Sequence, residues 1–327
     1  MLLYILRRVI TAISVIAVVL VASFALFFVA PTDPAGVVCG PKCNPERYEV
    51  IRKGMDIDKP FPEQVGIYLK GIVVGRTYDT GGVVTQCPAP CLGYSYTLEQ
   101  PVTKLLAQAV PVTISIVLGG SVVYLTVGVL LGVFVARRRG TTLDRTVVGA
   151  ALAIGAVPYF VVALLVALYA AGTFLPRAEY TSILTNPFTW ATGLVAAWLT
   201  LGFTNAASYT RYSRSSMIDA LGEDFVRTAR AKGISERRVV YKHGLRAALT
   251  PVATIYGLDL AFQLTGAIFT EALFGLPGLG VLTLRAFNQY DLPVLMGAAL
   301  VGAIVLVIMN LLVDILYTFL DPRVRLA

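Results

Sequence analysis

The sequence predicts an all-α integral membrane protein: six transmembrane helices, a sizeable external loop after the first helix, and a cytoplasmic helical hairpin late in the chain. Three observations predict it. Of 327 residues, 57% are hydrophobic and 14% charged, and the mean hydropathy is +0.75; soluble domains run at about a quarter charged. Six apolar stretches are long enough to cross a hydrocarbon core, which takes about 20 residues of helix. These stretches are continuous rather than alternating with period two, which favours helices over a barrel.

The six spans are residues 9–30, 102–136, 146–172, 190–209, 251–270 and 293–320. The apolar run of the first is about twice the 7–15 residues of a signal-peptide h-region, and Phe28-Val29-Ala30 is not a small-x-small cleavage site, so it is read as retained. The second is long enough to tilt or to continue past the bilayer, and Gly128 and Gly132 within it suit close helix packing. The fourth and fifth are the most polar. With no internal repeat and no linker, residues 1–327 make one transmembrane domain, with an external loop at 31–101 and a cytoplasmic loop at 210–250.

The net charge of +8 is distributed by side. Arg7 and Arg8 precede the first span; Arg137, Arg138, Arg139 and Arg145 lie between the second and third; nine Lys/Arg fall from Arg211 to Arg246; Arg323 and Arg325 follow the last. All these places fall on one side of a six-span chain, and the positive-inside rule makes that side the cytoplasm. The surplus is thus a topology signal for a plasma or inner membrane protein with both termini cytoplasmic, not the footprint of a nucleic-acid binder.

In the external loop, residues 45–53 and 62–72 have helical character, and 71–82 and 88–93 read as turns. All four cysteines lie there: Cys39, Cys43, Cys87 and Cys91, as two C-x-x-x-C pairs. Facing an oxidising compartment, they predict two disulfides, with three connectivities open. A bridge between the pairs would close a loop of about 45 residues and stabilise it by about 3–4 kcal/mol in the chain-entropy model. A four-thiolate zinc site is the lower-ranked rival.

Enzyme chemistry is absent from the motifs. There is no G-x-x-x-x-G-K-[ST], no H-E-x-x-H and no G-x-S-x-G, and the sole histidine, His243, cannot build a His-rich metal site. No cofactor of the chain's own is expected. Asp259, in the fifth span, has Gln263 one turn on and Tyr256 one turn before, and Glu271 ends the span. A charge at membrane depth costs about 2.5–3.5 kcal/mol on insertion scales, so it faces a cavity or a partner. Two readings stand level: Asp259 lines a pathway for a polar or cationic substrate, or it makes an interhelical hydrogen bond. Asn205, Ser208, Tyr209, Asn310 and Asp314 read as packing and helix-end residues.

The segment EDFVRTARAKGISERRVVYKHGLRAALTP, residues 223–251, is patterned as two helices. Glu223 and Asp224 open the first and Lys232 closes it, complementing the helix dipole. Gly233 stands where a left-handed residue stops a helix, and Ser235 with Glu236 opens a second running toward Pro251. Phe225, Ala229 and Lys232 form one stripe, with Val226 beside it. Such capping describes a rigid projection; a basic helix resting on anionic membrane lipid is the lesser reading.

RTARAKG at 227–233 and the following ISERRVVYKHGLRAALTP resemble the cytoplasmic loop of ABC-importer permeases, in particular the dipeptide/oligopeptide/nickel branch. MLLYILRRV at 1–9, LGYSYTLEQPVTKLLAQAVPVTISI at 92–116, TEALFGLPGLG at 270–280 and NLLVDILYTFLDPRVR at 310–325 agree, so the resemblance is nearly full-length. Arg227 and Thr228 replace the Glu-Ala of the general importer loop, while Ala229 and Gly233 match it. The resemblance implies a permease subunit without catalytic activity of its own. Its partners would be a homologous second permease, two ATP-binding subunits or domains that hold ATP and Mg, and an external binding protein that delivers peptides. It also implies that Glu223, Asp224, Arg227, Ala229, Arg230, Gly233 and Arg237 form the ATPase-coupling surface. Asp259, Gln263 and Glu271 are candidates for the translocation path or gate. The cysteines and Asp259 lie outside the branch's pattern. The alternative is a proton- or ion-coupled secondary transporter that uses Asp259.

Overall fold

The computed structural model describes the backbone of residues 2–26, 33–40, 43–80 and 83–320, and the side chains of residues 10–312 within those ranges. The predicted end of the first span at 27–30, the Gly81-Gly82 part of the expected turn, and Arg323 and Arg325 lie outside the described residues. The chain is mostly helical and divides into two compact units, Met1–Thr113 with Pro277–Val307, and Ile114–Leu276 with Ile308–Ala327.

The first unit holds α1 (Leu2–Phe24) and a cap built from α2 (Pro34–Cys39), α3 (Pro45–Gly54) and α4 (Phe61–Val74). The Asp33 and Asn44 carboxyl and amide oxygens accept from the Gly36 and Arg47 amides at 3.0 and 2.7 Å, and each helix carries proline in its first turn. Both devices satisfy or remove free N–H groups at a helix start. Residues 71–82, expected as turns, instead carry strand β1 (Arg76–Asp79), which pairs antiparallel with β2 (Val84–Cys87). Gly75, at φ +85°, releases the chain from α4, and the Thr, Tyr and Val content of the strands suits a pleated pair. A second short pair, β3 (Tyr94–Ser95) and β4 (Gln100–Pro101), leads into α5 (Val102–Ala136).

The cap's core is aromatic. Tyr94 stacks on Tyr78 and meets Tyr96 edge-on, both at 5.3 Å between ring centroids. Asp56, in the left-handed conformation at φ 54°, accepts from Arg76 Nη2 at 2.5 Å and Lys59 Nζ at 3.1 Å. The disulfides are Cys39–Cys43 and Cys87–Cys91. Each closes a loop within its own pair, worth about 2 kcal/mol in the chain-entropy model, and no bridge links the pairs. All four thiols are consumed, so the zinc reading falls. Below the cap, α13 (Leu279–Asn288), the start of α5 and the start of α14 (Leu292–Leu320) share an apolar cluster of Val102, Leu106, Leu279, Ala286, Val294 and Ala298.

The second unit contains the rest of α5, then α6 (Thr142–Ala156), α7 (Tyr159–Leu165) with a π-helical turn over Val166–Ala170, α8 (Pro187–Gly222), α9 (Asp224–Ala231), α10 (Glu236–Arg238), a π-helical stretch over Val239–Gly244, α11 (Leu245–Leu264) and α12 (Ile268–Phe274). Glycines let α5 approach α8 closely. A Cβ on Gly128 would lie 2.6 Å from Tyr209 Cβ; one on Gly132 would lie 2.6 Å from Ser213 Cβ and 2.7 Å from the Thr210 carbonyl. Asp144, almost wholly buried, accepts from Arg214 Nε and Nη2 at 2.6 and 2.7 Å and from the Gly140 amide at 2.9 Å, tying the turn before α6 to α8.

Among the described residues, three helices are long and apolar enough to cross a membrane: Val102–Ala136, the continuous Glu236–Leu264, and Leu292–Leu312; counting two broken pairs as spans makes five. The expected boundaries shift in three places. Residues 146–172 are not one helix, because α6 and α7 bend by 87° at Val157-Pro158. Proline lacks the N–H that would continue the ladder, and the residue before it is driven out of the helical region; Val157 has ψ 125°. The helix through the fourth stretch runs on to Gly222. The helix through the fifth starts well before Pro251 and stops at Leu264, so Glu271 lies in α12 and not at the end of that span.

Candidate functional site

The charged hairpin is a closed small structure. Glu223 and Lys232 flank α9 as its caps, and Gly233 follows at φ +74°. Ser235 occupies the next N-cap position without a side-chain hydrogen bond, so the turn is held by other means. Val226 and Ala229 are buried against Val239, with Leu221 and Ile234 alongside. Across the Gly233 turn, Arg230 donates from Nε and Nη2 to the two Glu236 carboxylate oxygens at 3.1 and 2.8 Å. This two-point geometry fixes orientation as well as distance.

Not every residue of the predicted coupling set shares one surface. Glu223, Asp224, Arg227, Arg230, Gly233 and Arg237 are exposed, whereas Ala229 is inside the hairpin. Phe225, expected on one stripe with Ala229, is 44% exposed and points away from the buried face. Arg227, with 73% of its side chain exposed, pairs with Asp224 at 3.4 Å. The exposed face therefore pairs an aromatic ring with basic side chains. Its opposite arm is no separate helix, since α10, the π-helical stretch and α11 form one helix from Glu236 to Leu264.

Higher on that helix, Tyr256, Asp259 and Gln263 recur at helical spacing on one face. The Tyr209 hydroxyl of α8 donates to Asp259 Oδ2 at 2.9 Å. Ser121 of α5 shares a 3.2 Å hydrogen bond with the Tyr256 hydroxyl. The Tyr124 ring, fully buried, lies 4.7 Å from Tyr209 and 6.2 Å from Tyr256. Tyr209, expected only to pack, is thus the hydrogen-bond partner of Asp259. Tyr124 and Ser121 escaped the sequence reading altogether. A phenol inside an apolar helix usually finds a polar neighbour, and that is the available signal.

Glu271 is fully buried in α12. Its neighbour Thr270 meets the Tyr159 hydroxyl of α7 at 2.6 Å, and Gly275, at φ +68°, ends the helix. Among the described residues, no group of three His, Cys, Asp or Glu is placed to hold a metal ion.

Residues 128–326 match the family described as binding-protein-dependent transport system inner membrane component, and residues 1–117 match its N-terminal membrane component. The chain belongs to this permease family. Permeases of the family are multi-pass inner-membrane transport subunits, and both the hairpin and the Asp259 cluster, apart from Ser121 and Tyr124, fall within the matched region. Among similar proteins, one of Brucella abortus (strain 2308) named as a peptide transport system permease is 36% identical over 323 residues, covering 98% of each chain. The dipeptide transport system permease protein DppB of Escherichia coli K12 is 31% identical over 353 residues, covering 99% of each. Membership of this permease family does not favour the secondary-transporter alternative.

Proposed function

We propose that the chain is one of two homologous permeases in an ATP-driven importer of dipeptides or oligopeptides. It crosses the inner membrane six times with both termini in the cytoplasm. The observation that carries the reading is the rigid hairpin, continuous with a membrane-spanning helix, in a chain whose full-length relatives are named as peptide permeases. The hairpin docks on partner ATPases through Phe225, Arg227, Arg237 and the acidic start at Glu223 and Asp224. ATP and Mg act in those partners. Ala229, Gly233 and the Arg230–Glu236 pair hold the hairpin's shape, so closure of the ATPases is transmitted into the helix from Glu236 to Leu264. Asp259 and Gln263 line the path, and Glu271 shapes the gate. An external binding protein delivers the peptide to the face bearing the disulfide-closed cap.

The test is purification of the tagged chain from its own membrane in mild detergent. A second permease and Walker-motif ATPases should co-purify, and Arg227→Glu should weaken the ATPases' retention while the second permease stays. Recovery of the chain alone in several detergents would overturn the reading.

A further inference from the structure

We propose that Asp259 and the tyrosines around it form a transit site for a primary ammonium group, the amine of the transported peptide; this rests on the reading of the chain as a peptide permease. Among the described residues, only the Tyr209 hydroxyl bonds to Asp259, and only at Oδ2, and no cation pairs with it, which leaves Oδ1 uncommitted. A carboxylate in a span without a counter-charge is costly by about 2.5–3.5 kcal/mol on insertion scales. The Tyr209, Ser121 and Tyr256 protons are already directed elsewhere. Tyr209 gives its own to Asp259. Ser121 donates to the Leu118 carbonyl at 2.8 Å, so in its contact with Tyr256 the tyrosine is the donor. What remains is rich in acceptors: Asp259 Oδ1, the Tyr256 oxygen, and Gln263 Oε1, which is buried with no hydrogen-bond partner among the described residues. The Tyr124 hydroxyl is likewise buried, beside Gln263 and Tyr209 but without a well-formed hydrogen bond to either.

An ammonium group supplies what this arrangement lacks, three donors and a positive charge, and aromatic faces attract it further. A guanidinium is the weaker fit: it presents a planar fork of spread charge, whereas an ammonium concentrates its charge and three donors on one atom. The site should therefore favour lysine-like over arginine-like side chains.

The experiment uses the assembled importer in proteoliposomes with its binding protein, and three tripeptides that differ only in a central Lys, Arg or norleucine. Uptake is compared between wild type and Asp259→Asn, so that the binding protein's own preference cancels in the ratio. Asparagine can still accept from Tyr209, which protects the fold. The Lys peptide is expected to lose about tenfold relative to norleucine, the size of an interaction of about 1.4 kcal/mol, with the Arg peptide losing less. If the bound amine is instead the peptide's N-terminus, all three fall alike in Asp259→Asn and recover in Asp259→Glu. Unchanged uptake of all three, or equal loss in the Asn and Glu variants, overturns the site. Failure of wild type to take up even the norleucine peptide in an ATP-dependent way would overturn the peptide-permease reading itself, and the transit site with it.

Discussion

Asp291 stands between α13 and α14 with its carboxylate buried, bonded to the Ser95 hydroxyl and reached by the Val294 amide at 3.4 Å. Burial pushes the carboxyl above the ordinary carboxylate range, and the hydrogen bonds from Ser95 and Val294 only partly oppose it. A carboxyl raised in the fold favours the folded state in its protonated form. That contribution is full below about pH 4 and is lost as pH rises through the folded value. The melting temperature in detergent should therefore decline as pH rises out of that range, and Asp291→Asn should flatten the decline. An unchanged slope would mean that another group carries it. At this scale the sequence is legible for cost but not for remedy. Asp259 announces itself as an expensive residue in an apolar run, yet its partner Tyr209 is 50 positions away and chemically unremarked. The Arg230–Glu236 pair was hidden differently, because Arg230 reads as one more basic residue in a basic loop.

The contact of α5 with α8 depends on residues without side chains. Gly132→Val would place methyl groups where Ser213 and the Thr210 carbonyl already are, at a cost of about 1–3 kcal/mol. Gly149→Val in α6, where an added Cβ meets nothing within 4 Å, is the matched control and should change stability little, since valine and glycine have similar helix propensities. Equal melting temperatures for both variants would refute the close approach. In the hairpin, Gly233→Val forces a left-handed backbone on a branched residue, costing about 1–2 kcal/mol. The importer should still assemble but hydrolyse more ATP per peptide moved. Arg230→Glu should do the same, and adding Glu236→Arg should restore the ratio; a double variant no better than the single would dismiss the clasp. The ends of α9 were legible here, since Glu223, Lys232 and Gly233 bound it, although Glu223 makes no side-chain cap hydrogen bond. Continuity was not. Pro251 signals an end, but the helix passes through it, as membrane helices can where neighbours satisfy the freed carbonyl.

Across the whole molecule, composition and hydropathy indicate a helical membrane protein, and the matched family agrees. The shape of individual apolar runs was less legible. Hydropathy counts residues and is blind to a bend such as that at Val157-Pro158, or to the interruption between α12 and α13. The cap was underestimated for a related reason: short strands stabilised by tyrosine stacking and by Arg76 with Asp56 leave little periodic trace in so few residues.

The helix from Glu236 to Leu264, 29 residues and about 44 Å long, carries the hairpin's second arm at one end and Asp259 near the other. Their angular relation is therefore a matter of counting. One residue inserted between Gly244 and Tyr256 would turn Asp259 by about 100° and away from Tyr209, with the hairpin still seated. Seven inserted residues, nearly two turns, would return it to within about 20°. Like a camshaft, this rod keeps its two working faces in phase, and it can be lengthened only by whole turns.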